Sequence, residues 1–139
     1  MSTATFVRTR VRSPKFAAIL AGGDALAVVA FVLLGSLDHG FGIDPARVLM
    51  SATPFVVGWL VAAVPLGLYG DRATTLGRTG VLTVVAWTIA VGIGGSLRST
   101  SYFPGASPPT FLLVTFVFCG IIITGWRLTA AFAAGRKEQ

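Results

Sequence analysis

Residues 16–37 read FAAILAGGDALAVVAFVLLGSL. Within these 22 positions a single side chain is ionisable, Asp24. An α-helix rising ~1.5 Å per residue needs about 20 residues to cross ~30 Å of hydrocarbon, so the stretch is expected to span a bilayer. It exceeds the ~7–15-residue apolar region of a secretory leader, and small residues are not well placed for a cut near Gly35-Ser36. It therefore reads as a retained span.

Working outward, three further apolar runs follow: Val48–Tyr69, Val81–Leu97 (lengthened by Thr79 and Gly80), and a run from Phe111 that passes Arg127 and ends at Ala134. The expected spans are about 16–37, 48–69, 79–97 and 110–134. Together they make one transmembrane domain over 16–134, with a basic tail at 1–15 and a short tail at 135–139. The connections Asp38–Arg47, Gly70–Gly80 and Arg98–Thr110 are short and hold turn residues such as Asp44-Pro45 and Pro104-Gly105. None has room for a separate soluble domain. The expected fold is all-α, an integral membrane four-helix bundle.

Composition agrees with that class. The chain has 139 residues, of which 54% are hydrophobic and 12% charged, and the mean hydropathy is +0.81. Soluble domains carry about 25% charged residues, and disordered chains are poor in apolar ones. The formal charge of +6 does not point to nucleic acid, because the basic residues sit at the ends of the apolar runs. With four spans, Arg8, Arg10, Arg12, Lys15, Arg72, Arg78, Arg127, Arg136 and Lys137 fall on one side, and Arg47 and Arg98 on the other. Positive residues favour the cytoplasm. Both termini are thus expected to be cytoplasmic.

Asp24 lies eight positions into the first span, ~12 Å below its cytoplasmic end at helical rise. An ionisable group at that depth costs ~2.5–3.5 kcal/mol on insertion scales and calls for a partner. Arg127, at similar depth in the fourth span, is the expected one. Two plainer readings stay open: Arg127 snorkelling to the interface, and Asp24 protonated. Trp59 stands near mid-bilayer, where its indole N–H needs an acceptor, and Asp24 is the candidate. Trp87 falls in the same half, so Asp24, Trp59, Trp87 and Arg127 form a candidate buried polar cluster. Pro54 and Pro65 are expected to break the regularity of the second span.

On the other side, Asp38, His39 and Arg98 form a second candidate cluster. For His39, helix capping or a bond to a backbone carbonyl is the plainer role, and a pH sensor or a ligand to haem or a chlorin the sharper one. Small residues repeat every four positions, as Ala86, Ala90, Gly94 and Thr88, Gly92, Ser96 in the third span and Ala17, Ala21, Ala25 in the first. Such ladders permit close packing within the bundle or against another subunit. One cysteine and one histidine leave no cluster for a metal, and no nucleophile–base set or phosphate loop is present. Neither a cofactor nor an enzymatic activity is expected.

Asp24, Gly35, Asp38-His39-Gly40, Pro54-Phe55-x-x-Gly58-Trp59, Trp87, Gly94, Arg98 and Trp126-Arg127 occur in an order and spacing that resembles the domain-of-unknown-function 3054 family. The likeness runs from about Asp24 to Arg127. It implies a small four-helix prokaryotic inner-membrane protein and brings no assigned biochemical activity with it. The functional expectation is a non-enzymatic accessory or structural subunit of a membrane complex, or a homo-oligomer, with the bilayer and other membrane subunits as partners. The alternative is a small transporter or channel subunit in which an Asp24/Arg127 site carries a proton or cation. A pigment, quinone or haem protein is a third reading, resting on His39 and the aromatic residues.

Overall fold

The computed structural model describes residues 14–38, 40, 42, 44–69, 75–100 and 109–137, with backbone only at 14 and 134–137. Four helices run through them: α1 (Pro14–Asp38), α2 (Pro45–Ala63), α3 (Leu76–Arg98) and α4. The last is built from Pro109–Val114, a π-helical turn at Thr115–Cys119, and Gly120–Lys137. All four are long and apolar enough to cross a membrane. Each packs on its chain neighbours and α4 closes back on α1, with the α2–α3 pairing the most extensive. No strand occurs among the described residues.

Local chemistry sets the helix bounds. The Asp44 carboxylate accepts the Ala46 N–H at 3.2 Å and Pro45 occupies the first turn, so α2 starts ahead of the apolar run. The Thr75 hydroxyl caps α3 in the same way by accepting the Arg78 N–H at 3.1 Å.

The second span departs most from expectation. It was expected to stay helical to Tyr69, but the regular helix ends at Ala63. Pro65 has no N–H to continue the ladder, and Gly67 turns left-handed at φ 81°. The Leu68 N–H then reaches back to the Ala63 carbonyl and the Gly67 N–H to that of Val64, both at 3.1 Å. This paired bonding is a Schellman-type stop. It turns Leu68 and Tyr69 inward, and both are buried.

The surface is inverted relative to a soluble protein. Leu26 and Leu34 on α1, Val81 on α3, and Ile121 and Phe132 on α4 point outward. The interior is narrow. A Cβ on Gly58 would stand 2.6 Å from the Ala90 carbonyl oxygen, so the α2 and α3 backbones nearly touch. Around that contact Phe55, Trp59 and Trp87 pack as tilted rings, with centroids 6.4–6.5 Å apart.

Candidate functional site

Asp24 and Arg127 are 1% and 2% exposed. Their side chains meet in a side-on, two-point ion pair: Arg127 Nε donates to Oδ1 at 2.8 Å and Nη2 donates to Oδ2 at 2.6 Å. Gly23 makes this approach possible. Any side chain there would overlap the Trp126 indole, which lies 2.1 Å from the position of a Cβ. The pair therefore joins α1 to α4 beside the point where the Trp126 indole lies against the α1 backbone.

Two further donors complete the carboxylate. Trp59 Nε1 donates to Oδ2 at 3.1 Å, sharing its hydrogen with the Tyr69 hydroxyl at 2.9 Å, and that hydroxyl donates to Oδ2 in turn. Arg127 is held from a third direction. Its Nη1 donates to the Leu68 carbonyl at 2.7 Å, while its Cζ lies 4.6 Å from the Tyr69 ring centroid and 5.5 Å from that of Trp59.

A carboxylate has about four acceptor positions. Asp24 receives four hydrogen bonds, from Nε, Nη2, the phenol and the indole. Three of these fall on Oδ2 and one on Oδ1, and the carboxylate is buried. In an apolar bundle that arrangement holds two charges in place. A passing cation would have to displace the Arg127 guanidinium, which binds both oxygens.

Three of the four residues expected in this cluster, Asp24, Trp59 and Arg127, thus share one network. Trp87 does not join it. Its ring packs on Trp59, but its N–H donates to the Phe116 carbonyl at 3.1 Å, inside the π-helical turn of α4. A π turn leaves carbonyls poorly matched to the helical ladder, so an outside donor fits there. Tyr69 and the Leu68 carbonyl were not expected at the site. The Pro65-x-Gly67 pattern, a helix stop, was the signal that could have revealed them.

Because Gly67 aims both groups, Gly67→Ala has a defined consequence. A Cβ at left-handed φ costs ~1–2 kcal/mol. Thermal unfolding in detergent should report a loss of that size, whereas Gly22→Ala, inside α1 with nothing within 4 Å of its Cβ, should give a small gain.

At the opposite end of the bundle, Asp38 and Arg98 line a common groove, joined by Arg47. The third residue expected there, His39, lies outside the described residues. So do the tail residues Arg8, Arg10 and Arg12, and Arg72 in the second connection.

The sequence model of a family described as "Protein of unknown function (DUF3054)" matches residues 21–130. The match takes in Asp24, Trp59, Tyr69 and Arg127, along with both sides of the far groove. No curated protein and no solved structure matches the chain.

Proposed function

The chain belongs to the DUF3054 family, and from that premise we propose that it is a non-enzymatic, multi-pass membrane subunit acting through association. It serves as an accessory part of a larger membrane complex or as a homo-oligomer, with both termini on the cytoplasmic face of an inner membrane. The observation that carries this reading is the outward face of α3. Ala86, Ala90 and Gly94 are consumed inside the bundle, whereas Thr88, Gly92 and Ser96 are exposed on the other side. The Thr88 and Ser96 hydroxyls bond back to the Val84 and Gly92 carbonyls at 2.8 Å each, and nothing lies within 4 Å of a Cβ on Gly92. The face is smooth, internally satisfied and narrow. In lipid, such faces let a second helix approach closely.

Purification from native membranes tests the proposal. A companion protein or a stable homo-oligomer is expected, and Gly92→Leu should release it without lowering the unfolding midpoint. A strictly monomeric, companion-free protein would overturn it. The transport reading has less support, because a carrier carboxylate must exchange its partners and Asp24 is buried with an arginine bound to both its oxygens. Asp24→Asn separates the two: loss of proton or cation flux with assembly intact would favour transport, and loss of assembly alone favours the clamp.

A further inference from the structure

The groove at the end of the bundle away from the ion pair has a volume of about 780 Å³, within the ~300–1,000 Å³ usual for ligand sites. Its walls are apolar: Phe31 and Leu34 on α1, Phe55 on α2, and Phe118 and Ile122 on α4. Asp38, Arg47 and Arg98 stand at its mouth. From Phe31 to Asp38 the groove follows α1 for ~10 Å at helical rise. It runs from the helix ends, where headgroups lie, into the hydrocarbon. Leu34, Phe118 and Ile121 line it and are also exposed on the outer surface, so it opens sideways to lipid.

The mouth is built to receive negative charge. Arg98, the last residue of α3, is held over the Phe111 ring with Cζ 4.2 Å from the centroid. Its Nε is buried and has no hydrogen-bond acceptor. A snorkelling arginine would keep that N–H wet; here it is buried. Arg47 lines the same groove and adds a second guanidinium. Asp38, exposed at the rim, supplies one negative charge against these two positive ones. Two cations gathered above an apolar trough, with a buried donor unanswered, match a ligand with an anionic head and a hydrocarbon tail.

We propose that this groove binds one anionic membrane lipid, its headgroup on Arg98 and Arg47 and one acyl chain lying between α1 and α4. The site goes beyond the association reading and does not depend on it, since a monomer holds the whole groove.

The test uses the full chain in mild detergent with equal amounts of palmitoyl-oleoyl phosphatidylglycerol and phosphatidylcholine, read by native mass spectrometry. Phosphatidylglycerol should be retained in roughly tenfold preference, because both phosphates can accept from the guanidiniums but only phosphatidylcholine brings a choline cation beside them. Arg98→Gln should bring the two lipids to parity. Gly35→Leu, whose Cβ enters open space in the groove wall, should lower retention of both. Unfolding midpoints equal to the wild type establish that each variant is folded, and Arg47→Gln replaces Arg98→Gln if that variant is not. Equal retention of both lipids by the wild type would overturn the proposal. So would a preference that survives loss of either arginine. Displacement by inorganic phosphate with no effect of Gly35→Leu would assign the mouth to a soluble anion and likewise overturn it.

Discussion

Asp24→Leu is expected to destabilise the bundle by about 3–5 kcal/mol, the usual cost of stranding one member of a buried ion pair. The larger part comes from Arg127. A guanidinium does not shed its proton, so in the variant a full charge stays in a dry interior with only the Leu68 carbonyl and two ring faces for company. The converse change, Arg127→Met, should cost less, about 1–3 kcal/mol. A carboxyl can take up a proton, and Asp24 keeps its bonds from Tyr69 and Trp59. The double variant Asp24→Leu/Arg127→Met should recover most of the loss, because an apolar pair of similar volume replaces a buried ion pair at little cost. Unfolding of all four proteins in detergent closes the cycle. If Asp24→Leu proves no worse than Arg127→Met, the charge on Arg127 is solvated, and the closed, four-bonded geometry of the pair is wrong.

That pair was legible because depth along a helix can be counted. Asp24 and Arg127 fall at matching levels of the first and last spans, and an isolated charge in lipid demands a partner. Trp59 followed from the same demand applied to its N–H. The rest of the cluster was hidden for a physical reason. An apolar run shows that a segment is buried, not where its helix stops, and residues 64–69 stay apolar through the turn at Gly67. Tyr69 therefore read as the end of a helix, whereas it is a donor folded back onto Asp24. Trp87 was misplaced because the π turn of α4 offers the Phe116 carbonyl, and nothing in Thr115–Cys119 announces that turn. Arg47 reads from the sequence only as a topology marker, and Arg98 as one and as a member of the cluster with Asp38 and His39. Their convergence on one groove depends on how three helix ends and α4 come together, which no single segment encodes.

Gly58→Ala is the second change with a large expected effect, a loss of about 1–3 kcal/mol from overpacking. One methyl group is added, but it has nowhere to go. Its carbon would sit 2.6 Å from the Ala90 carbonyl oxygen and 3.2 Å from the Gly94 nitrogen, and both belong to the α3 backbone. A backbone cannot rotate aside as a side chain can, so α2 must move away from α3. Phe55, one turn earlier, is already seated on Gly94, where a Cβ would meet it at 2.5 Å, and this blocks a compensating slide. The displacement also reaches the polar cluster. Trp59 follows Gly58 in the chain, and any outward shift of α2 draws its indole N–H away from Asp24 and Tyr69. Gly58→Ala combined with Trp59→Phe should thus cost less than the sum of the two single changes. Gly22→Ala is the control: it adds the same methyl group to α1 on an open face, where nothing lies within 4 Å. With no collision, only the intrinsic preference of a helix for alanine over glycine acts, a gain of ~0.5–1 kcal/mol. Opposite signs for the two glycine-to-alanine changes, read as shifts of the thermal unfolding midpoint in detergent, are the expected result. A neutral Gly58→Ala would mean that α2 and α3 lie further apart than described.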